Sequence, residues 1–134
     1  ALAILMPIVA SMGGIAGMQS LALVIRSQAL DQIGSSNSRL LILKEASIGV
    51  LNGILWSSVV ALAVYLWFES IFLGIVIASA LLINLIIGAI SGVSLPLILA
   101  RFKIDPALAG GGILTTITDI VGFISLLGIA TLIL

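Results

Sequence analysis

Residues 70–100 read SIFLGIVIASALLINLIIGAISGVSLPLILA, a stretch without a single charged side chain. A helix crosses the hydrocarbon core of a bilayer with roughly 20 apolar residues, so this stretch is long enough to span a membrane. It does not alternate apolar and polar residues as a strand of a membrane barrel does. It therefore predicts a transmembrane α-helix, and its excess length predicts that the helix tilts or protrudes.

Similar runs fill the rest of the chain. The predicted spans are residues 1–28, 44–68, 70–100 and 112–134, which together make residues 1–134 a single transmembrane domain. Only 7% of the 134 residues are charged and 62% are hydrophobic, which leaves too few polar groups for the surface of a soluble domain. The predicted fold class is an all-α polytopic bundle of about four transmembrane helices.

The composition also excludes several kinds of chemistry. The sequence contains no histidine and no cysteine, which excludes disulfides, zinc–thiolate sites and catalysis by a thiol or an imidazole. Any bound metal must be held by oxygen ligands, which suit hard ions such as Mg²⁺ and Ca²⁺. The formal net charge of zero gives no reason to expect a nucleic-acid partner.

The basic residues predict the orientation in the membrane. Arg26, Arg39 and Lys44 lie between the first and second predicted spans, and Arg101 and Lys103 lie between the third and fourth. An even number of crossings places both connections on the same side, which the positive-inside rule makes cytoplasmic. The sequence therefore predicts a multi-pass protein of the cell membrane, with both ends of this sequence and the Glu69 connection outside.

The fourth span carries one acid, within residues 115–122, TTITDIVG. Placing a charged carboxylate at membrane depth costs at least ~2.5–3.5 kcal/mol, and such groups usually face a bundle interior or a wet path. Thr115, Asp119 and Gly122 share one helical face, which suits a path for a hydrated cation. A single carboxylate provides too few ligands for Mg²⁺. We therefore expect two copies of Asp119 to meet across a twofold axis, which predicts a homodimer. The alternative is an uncharged Asp119 that hydrogen-bonds to a neighbouring helix.

Small residues at four-residue spacing predict close helix packing. In the first span, residues 11–20 read SMGGIAGMQS, and with Pro7 they predict a kink or an unwound turn. Gly13 and Gly17 there serve either packing alone or packing together with pore lining. The seams predicted in the second and third spans consist of Gly49, Gly53 and Ser57, and of Ala80, Asn84, Gly88 and Gly92.

Local signals add further expectations about helix ends and polar side chains. Glu45 is expected in the first turn of the second span with a structural role, and Asn52 is expected to hydrogen-bond to a neighbouring helix. Glu69 marks a tight turn. Asp105 before Pro106 is a strong helix start. The glycines at residues 110–112 predict a flexible break, and residues 34–38, GSSNS, predict a loop.

Three segments together resemble the membrane domain of the MgtE family of magnesium channels and transporters. They are GGIAGMQS at residues 13–20, KEASIGVLNG at 44–53, and residues 101–122, which run from RFKIDPA through TTITDIVG. The resemblance implies the second to fifth spans of a five-span homodimeric domain. The family's first span and its cytoplasmic sensing domains, including a CBS pair, are not in this sequence.

The resemblance also implies a pore at the dimer interface, lined by residues 1–30 and 113–134. Asp119 would hold hydrated Mg²⁺, helped by the backbone carbonyl of Thr115. Asp105 would lie at the cytoplasmic mouth and bind a regulatory Mg²⁺. The implied pore-lining residues are Gly13, Gly14, Gly17, Gln19, Thr116 and Gly122.

Four residues depart from the family pattern, because Ile15 and Met18 stand where asparagines are usual, and Gly110 and Gly111 stand where Asn or Ser is often found. The leading hypothesis is a Mg²⁺ channel or facilitated transporter whose partners are a second copy of the chain, membrane lipid and divalent cations. Alternatives are a carrier that couples Mg²⁺ to Na⁺ or H⁺, and a membrane anchor or assembly subunit that transports nothing. An enzyme is not expected, since an intramembrane aspartyl protease needs two acids within the membrane and this chain offers only Asp119.

Overall fold

The computed structural model describes residues 2–29 and 38–133, and these residues form four α-helices. They are α1 (Leu2–Ala29), α2 (Ser38–Phe68), α3 (Ile71–Arg101) and α4 (Pro106–Ile133). Each helix contains a segment long and apolar enough to cross a membrane. The predicted fold class, an all-α bundle of four membrane-spanning helices, is therefore confirmed for the described residues.

Helix α3 is the centre of the bundle and packs against α1, α2 and α4, while α1 also packs against α4. The contact with α1 depends on glycine. A Cβ atom added at Gly88 would lie 2.5 Å from the carbonyl oxygen of Gly13, and one added at Gly92 would collide with the carbonyl oxygen of Gly17. The absence of side chains lets the two backbones touch, which confirms the predicted packing seam of the third span.

Glycines of the second span likewise allow α2 to pack closely on another side of α3. A Cβ atom at Gly49 would lie 2.8 Å from that of Ala89, and one at Gly53 would lie 2.6 Å from Cδ1 of Leu82. Ser57, one turn further along α2, is buried. This seam is also confirmed. The opposite face of α2 is exposed and apolar, as expected of a surface toward lipid, and it includes Leu51, Ile54, Leu55, Leu62 and Leu66.

An apolar core joins the helices near their predicted outer ends. Leu5 and Val9 of α1 lie against Val76 and Ile77 of α3, and all four are almost fully buried. The remaining buried members of this cluster are Val64, Ala80, Leu126 and Ala130. Burying apolar side chains against one another leaves the outer faces of the helices for lipid.

The connection between α2 and α3 is a tight turn, as predicted. Glu69 has a φ of 52°, a left-handed conformation that reverses the chain within two residues. Ser70 caps α3, because its hydroxyl accepts a hydrogen bond from the backbone N–H of Leu73 at 3.3 Å. At the opposite end of the bundle, α4 begins at Pro106 directly after Asp105, as the sequence predicts.

Three local expectations are wrong. Helix α1 runs through Pro7 and its glycines without the unwound turn, so that part of the expectation is wrong, while the kink stays a prediction. Residues 110–112 are helical rather than a break, and a Cβ at Gly110 would meet Leu21 of α1 at 3.1 Å. Glu45 is not in the first turn of α2, because that helix begins at Ser38. Residues 34–37 of the predicted loop lie outside the described residues.

Candidate functional site

A groove of about 500 Å³ runs between α1 and α4 and is open toward the outside of the bundle. Helix α4 contributes Thr115 and Asp119, which are one turn apart. Helix α1 contributes Ala10, Ser11, Gly14, Ile15, Met18, Gln19 and Ala22. The walls are mostly apolar, and Asp119 is the only ionisable side chain among the residues that line the groove.

Asp119 is half-buried in this groove. Its carboxylate has no hydrogen bond or ion pair within residues 2–29 and 38–133, so the alternative of a hydrogen bond to a neighbouring helix finds no partner there. A partly buried carboxylate without a protein partner is costly unless water or a cation satisfies it. The groove is therefore suited to a positively charged or hydrated ligand.

The threonines around Asp119 use their hydroxyl hydrogens within α4. The hydroxyls of Thr115 and Thr116 donate to the carbonyl oxygens of Gly111 and Gly112, each at 2.8 Å. The buried hydroxyl of Thr118 donates to the carbonyl oxygen of Thr115 at 3.1 Å. In the helix the same oxygen also accepts the backbone N–H of Asp119, so both lone pairs of the Thr115 carbonyl are engaged within α4.

The sequence-predicted pore residues divide into three groups. Gly14 and Gln19 line the groove beside Asp119. Gly13, Gly17 and Gly122 lie instead at buried helix contacts, because residues on the neighbouring helical face point toward α3. A Cβ at Gly17 would lie 2.9 Å from the carbonyl oxygen of Gly88, and one at Gly122 would lie 2.9 Å from Nδ2 of Asn84. Thr116 is exposed on α4 but does not line the groove.

Asn84 of α3 bonds to α1 and lies against Gly122 of α4. It is fully buried, and its Nδ2 donates a 2.7 Å hydrogen bond to the carbonyl oxygen of Val9. The amide fits where Gly13 and Gly122 leave room for it. Its Oδ1 has no partner among the described residues, a cost that the close helix contact offsets.

The remaining polar positions are distributed around the bundle. Asp105 is exposed in the connection between α3 and α4, far along the chain from the groove residues of α1. Asn52 is exposed and makes no hydrogen bond to the described part of the chain, so the expected inter-helix bond is wrong. Sequence reasoning missed the pairing of buried Glu45, whose Oε2 accepts a 2.9 Å hydrogen bond from the hydroxyl of Ser20.

Within the described ranges, no three acidic side chains come together in a group that could hold a metal. The residues that line the groove supply one carboxylate and neutral polar groups. Water or a second copy of the chain must supply the rest of any coordination shell.

Comparison with known proteins gives a consistent result. Residues 6–129 match the model of a family named MgtE and described as a divalent cation transporter. The chain is 40% identical over 131 residues to the magnesium transporter MgtE of Bacillus subtilis, and 33% identical over 134 residues to that of Thermus thermophilus. These alignments cover 98% and 100% of this chain but only 29% and 30% of those relatives. The chain thus spans less than a third of their length.

Proposed function

This chain belongs to the MgtE family of divalent cation transporters, and from that membership we propose that it forms the membrane pathway of a Mg²⁺ transporter. It is a multi-pass membrane protein of the cell membrane, and its proposed role is transport rather than catalysis. The related proteins in Bacillus subtilis and Thermus thermophilus are named magnesium transporters. In this proposal Mg²⁺ is the cargo.

The position of Asp119 carries the proposal. Its carboxylate lines an open groove and has no partner in the described part of the chain. An acid in the membrane that pairs with no neighbouring helix is suited to a passing cation. The apolar walls, including Ile15 and Met18, add little competing charge, so Asp119 dominates the local field.

We place the pore where the grooves of two subunits face each other. The groove is open on the side where α1 and α4 meet the surroundings, so a twofold axis there would bring two Asp119 side chains together. Mg²⁺ dehydrates reluctantly and usually keeps several waters while one or two carboxylates bind it. Two Asp119 carboxylates would hold the ion through its waters, and the Thr115 carbonyls would assist once the Thr118 hydroxyls turn away from them.

The other predicted residues take supporting roles in the same proposal. Gly14 and Gln19 line the path, while Gly13, Gly17 and Gly122 set the helix positions that shape it. Thr116 lies on the exposed face of α4, beside the proposed interface. Asp105 lies in the connection that the positive-inside rule makes cytoplasmic, where it would help to gather or sense Mg²⁺ at the pore mouth.

The experiment is Mg²⁺ uptake into proteoliposomes that contain the purified protein and a trapped Mg²⁺-sensitive dye. Asp119→Asn keeps the size of the side chain and removes its charge, and we expect uptake to fall to the level of empty vesicles. Glu69→Gln removes an exposed acid outside the groove and should leave uptake unchanged. Full uptake by Asp119→Asn, with normal folding, refutes the proposal and favours a different path or an anchoring role.

A further inference from the structure

A second polar crevice lies between α1 and α2, separate from Asp119. It has a volume of about 130 Å³ and an adjoining crevice of about 250 Å³. The two share Ala16, Gln19, Asn52 and Leu85 in their walls. Oxygen-bearing side chains of two helices thus face a single continuous space within the predicted membrane region.

Glu45 is the acid of this crevice. Only 5% of its surface is exposed, and the same fraction holds for Ser20, which donates the 2.9 Å hydrogen bond to Oε2. Glu45 forms no ion pair with a described basic residue. Its neighbour Lys44 is exposed, as is Arg26 near the end of α1. One hydroxyl is a modest partner for a carboxylate that is so deeply buried.

The walls around Glu45 are held by tight backbone contacts. A Cβ at Gly92 would lie 2.8 Å from that of Ser20, which fixes Ser20 against α3. Gly49, one turn after Glu45, lies against Ala89 of the same helix. Because α3 fixes both sides, Ser20 and Glu45 form a built site rather than a chance encounter of mobile side chains.

The oxygen atoms here match a small monovalent cation. Glu45 supplies one negative charge, Ser20 supplies a hydroxyl oxygen, and Gln19 and Asn52 supply amide oxygens at the crevice wall. Carboxylate, hydroxyl and carbonyl oxygens are ligands for hard cations. A single negative charge neutralises Na⁺ but leaves a net positive charge with a divalent ion, which is costly in a membrane.

We propose that Glu45, Ser20, Gln19 and Asn52 form a binding site for a small alkali cation, Na⁺ in the first instance, between α1 and α2. The site does not depend on the Asp119 groove, although Gln19 lines both spaces. Occupation of the site would neutralise the charge of Glu45 beside the proposed Mg²⁺ pathway. Its affinity can be measured without measuring transport.

Trp56 provides a native reporter, because it lines the adjoining crevice with Gln19 and Asn52. The other tryptophan, Trp67, is highly exposed and can be replaced by phenylalanine with little loss of packing. In Trp67→Phe protein in nanodiscs, NaCl is titrated against choline chloride at constant ionic strength. We expect a saturable change in Trp56 fluorescence, accompanied by a rise in the midpoint of thermal unfolding.

Glu45→Gln should abolish both responses, whereas Asp119→Asn should retain them. That pattern separates this site from the proposed Mg²⁺ path, since Asp119→Asn should lose Mg²⁺ uptake but keep both responses to Na⁺. Ser20→Ala keeps the charge and should raise the half-saturating NaCl concentration several-fold, a test that remains decisive if Glu45→Gln does not fold. The proposal is overturned if choline chloride alone gives the same response as NaCl, or if MgCl₂ or a change of pH alone gives it. An undiminished response in Glu45→Gln also overturns it.

Discussion

Replacing Gly88 by alanine tests how the bundle is held together. The new Cβ would lie 2.5 Å from the carbonyl oxygen of Gly13, whereas real Cβ atoms essentially never approach within 3.0 Å. Helices α1 and α3 must therefore separate by at least about 0.5 Å. The obstacle is backbone, so no rotamer change relieves it. Overpacking of this kind costs typically ~1–3 kcal/mol of folding free energy.

Gly128→Ala is the matched control, since it is the same substitution on a helix with no atom within 4 Å of the new Cβ. Alanine favours a helix over glycine by about 0.8–1.0 kcal/mol, so this variant should be neutral or more stable. Because the helix-propensity gain is common to both variants, they should differ by the packing cost alone, roughly 1–3 kcal/mol in the free energy of unfolding.

The assay is unfolding in mixed micelles with increasing dodecyl sulfate, followed by circular dichroism. Because α1 forms one wall of the Asp119 groove, Gly88→Ala should also lower Mg²⁺ uptake, and Gly128→Ala should not. Equal unfolding free energies for the two variants would refute the direct contact of the α1 and α3 backbones at this point.

Two further predictions concern a buried amide and the orientation of the chain. Asn84→Ala removes the hydrogen bond to the Val9 carbonyl and should lower the free energy of unfolding by ~1–3 kcal/mol. Asn52→Ala, measured without Na⁺, is its exposed control and should change it by less than ~0.5 kcal/mol; equal losses would contradict the inter-helix role of Asn84. For orientation, single cysteines at Glu69 and Lys103 are treated with an impermeant maleimide on intact cells. Labelling at Glu69 alone agrees with the positive-inside assignment, and labelling at Lys103 alone reverses it.

Several parts of the bundle follow from the sequence because they depend on local composition. Uncharged runs identify the four membrane helices, since the bilayer sets the length of a span. The small residues Gly88 and Gly92 predict a close helix contact, because a helical face without side chains lets a neighbouring backbone approach. The turn at Glu69 and the helix start at Pro106 follow from the same kind of local rule.

Other features depend on which helical faces meet, which spacing alone does not determine. Ser20 and Glu45 lie 25 positions apart and meet only because α3 holds both α1 and α2. Residues 110–112 are three glycines in a row, yet packing against α1 overrides their weak helix propensity. Gly122 lies on the same helical face as Asp119 by spacing, but in the structure it is buried against the side chain of Asn84.

The most direct test of the central claim is crosslinking across the proposed twofold axis. The chain has no cysteine, so a single cysteine at Met18 in the groove reports on that surface alone. In native membranes, bismaleimides of graded length should join Met18→Cys subunits into dimers, and added Mg²⁺ should change the yield. Leu51→Cys, on the exposed face of α2, should stay monomeric. Dimers through residue 51 and none through residue 18 would contradict a pore between facing Asp119 grooves.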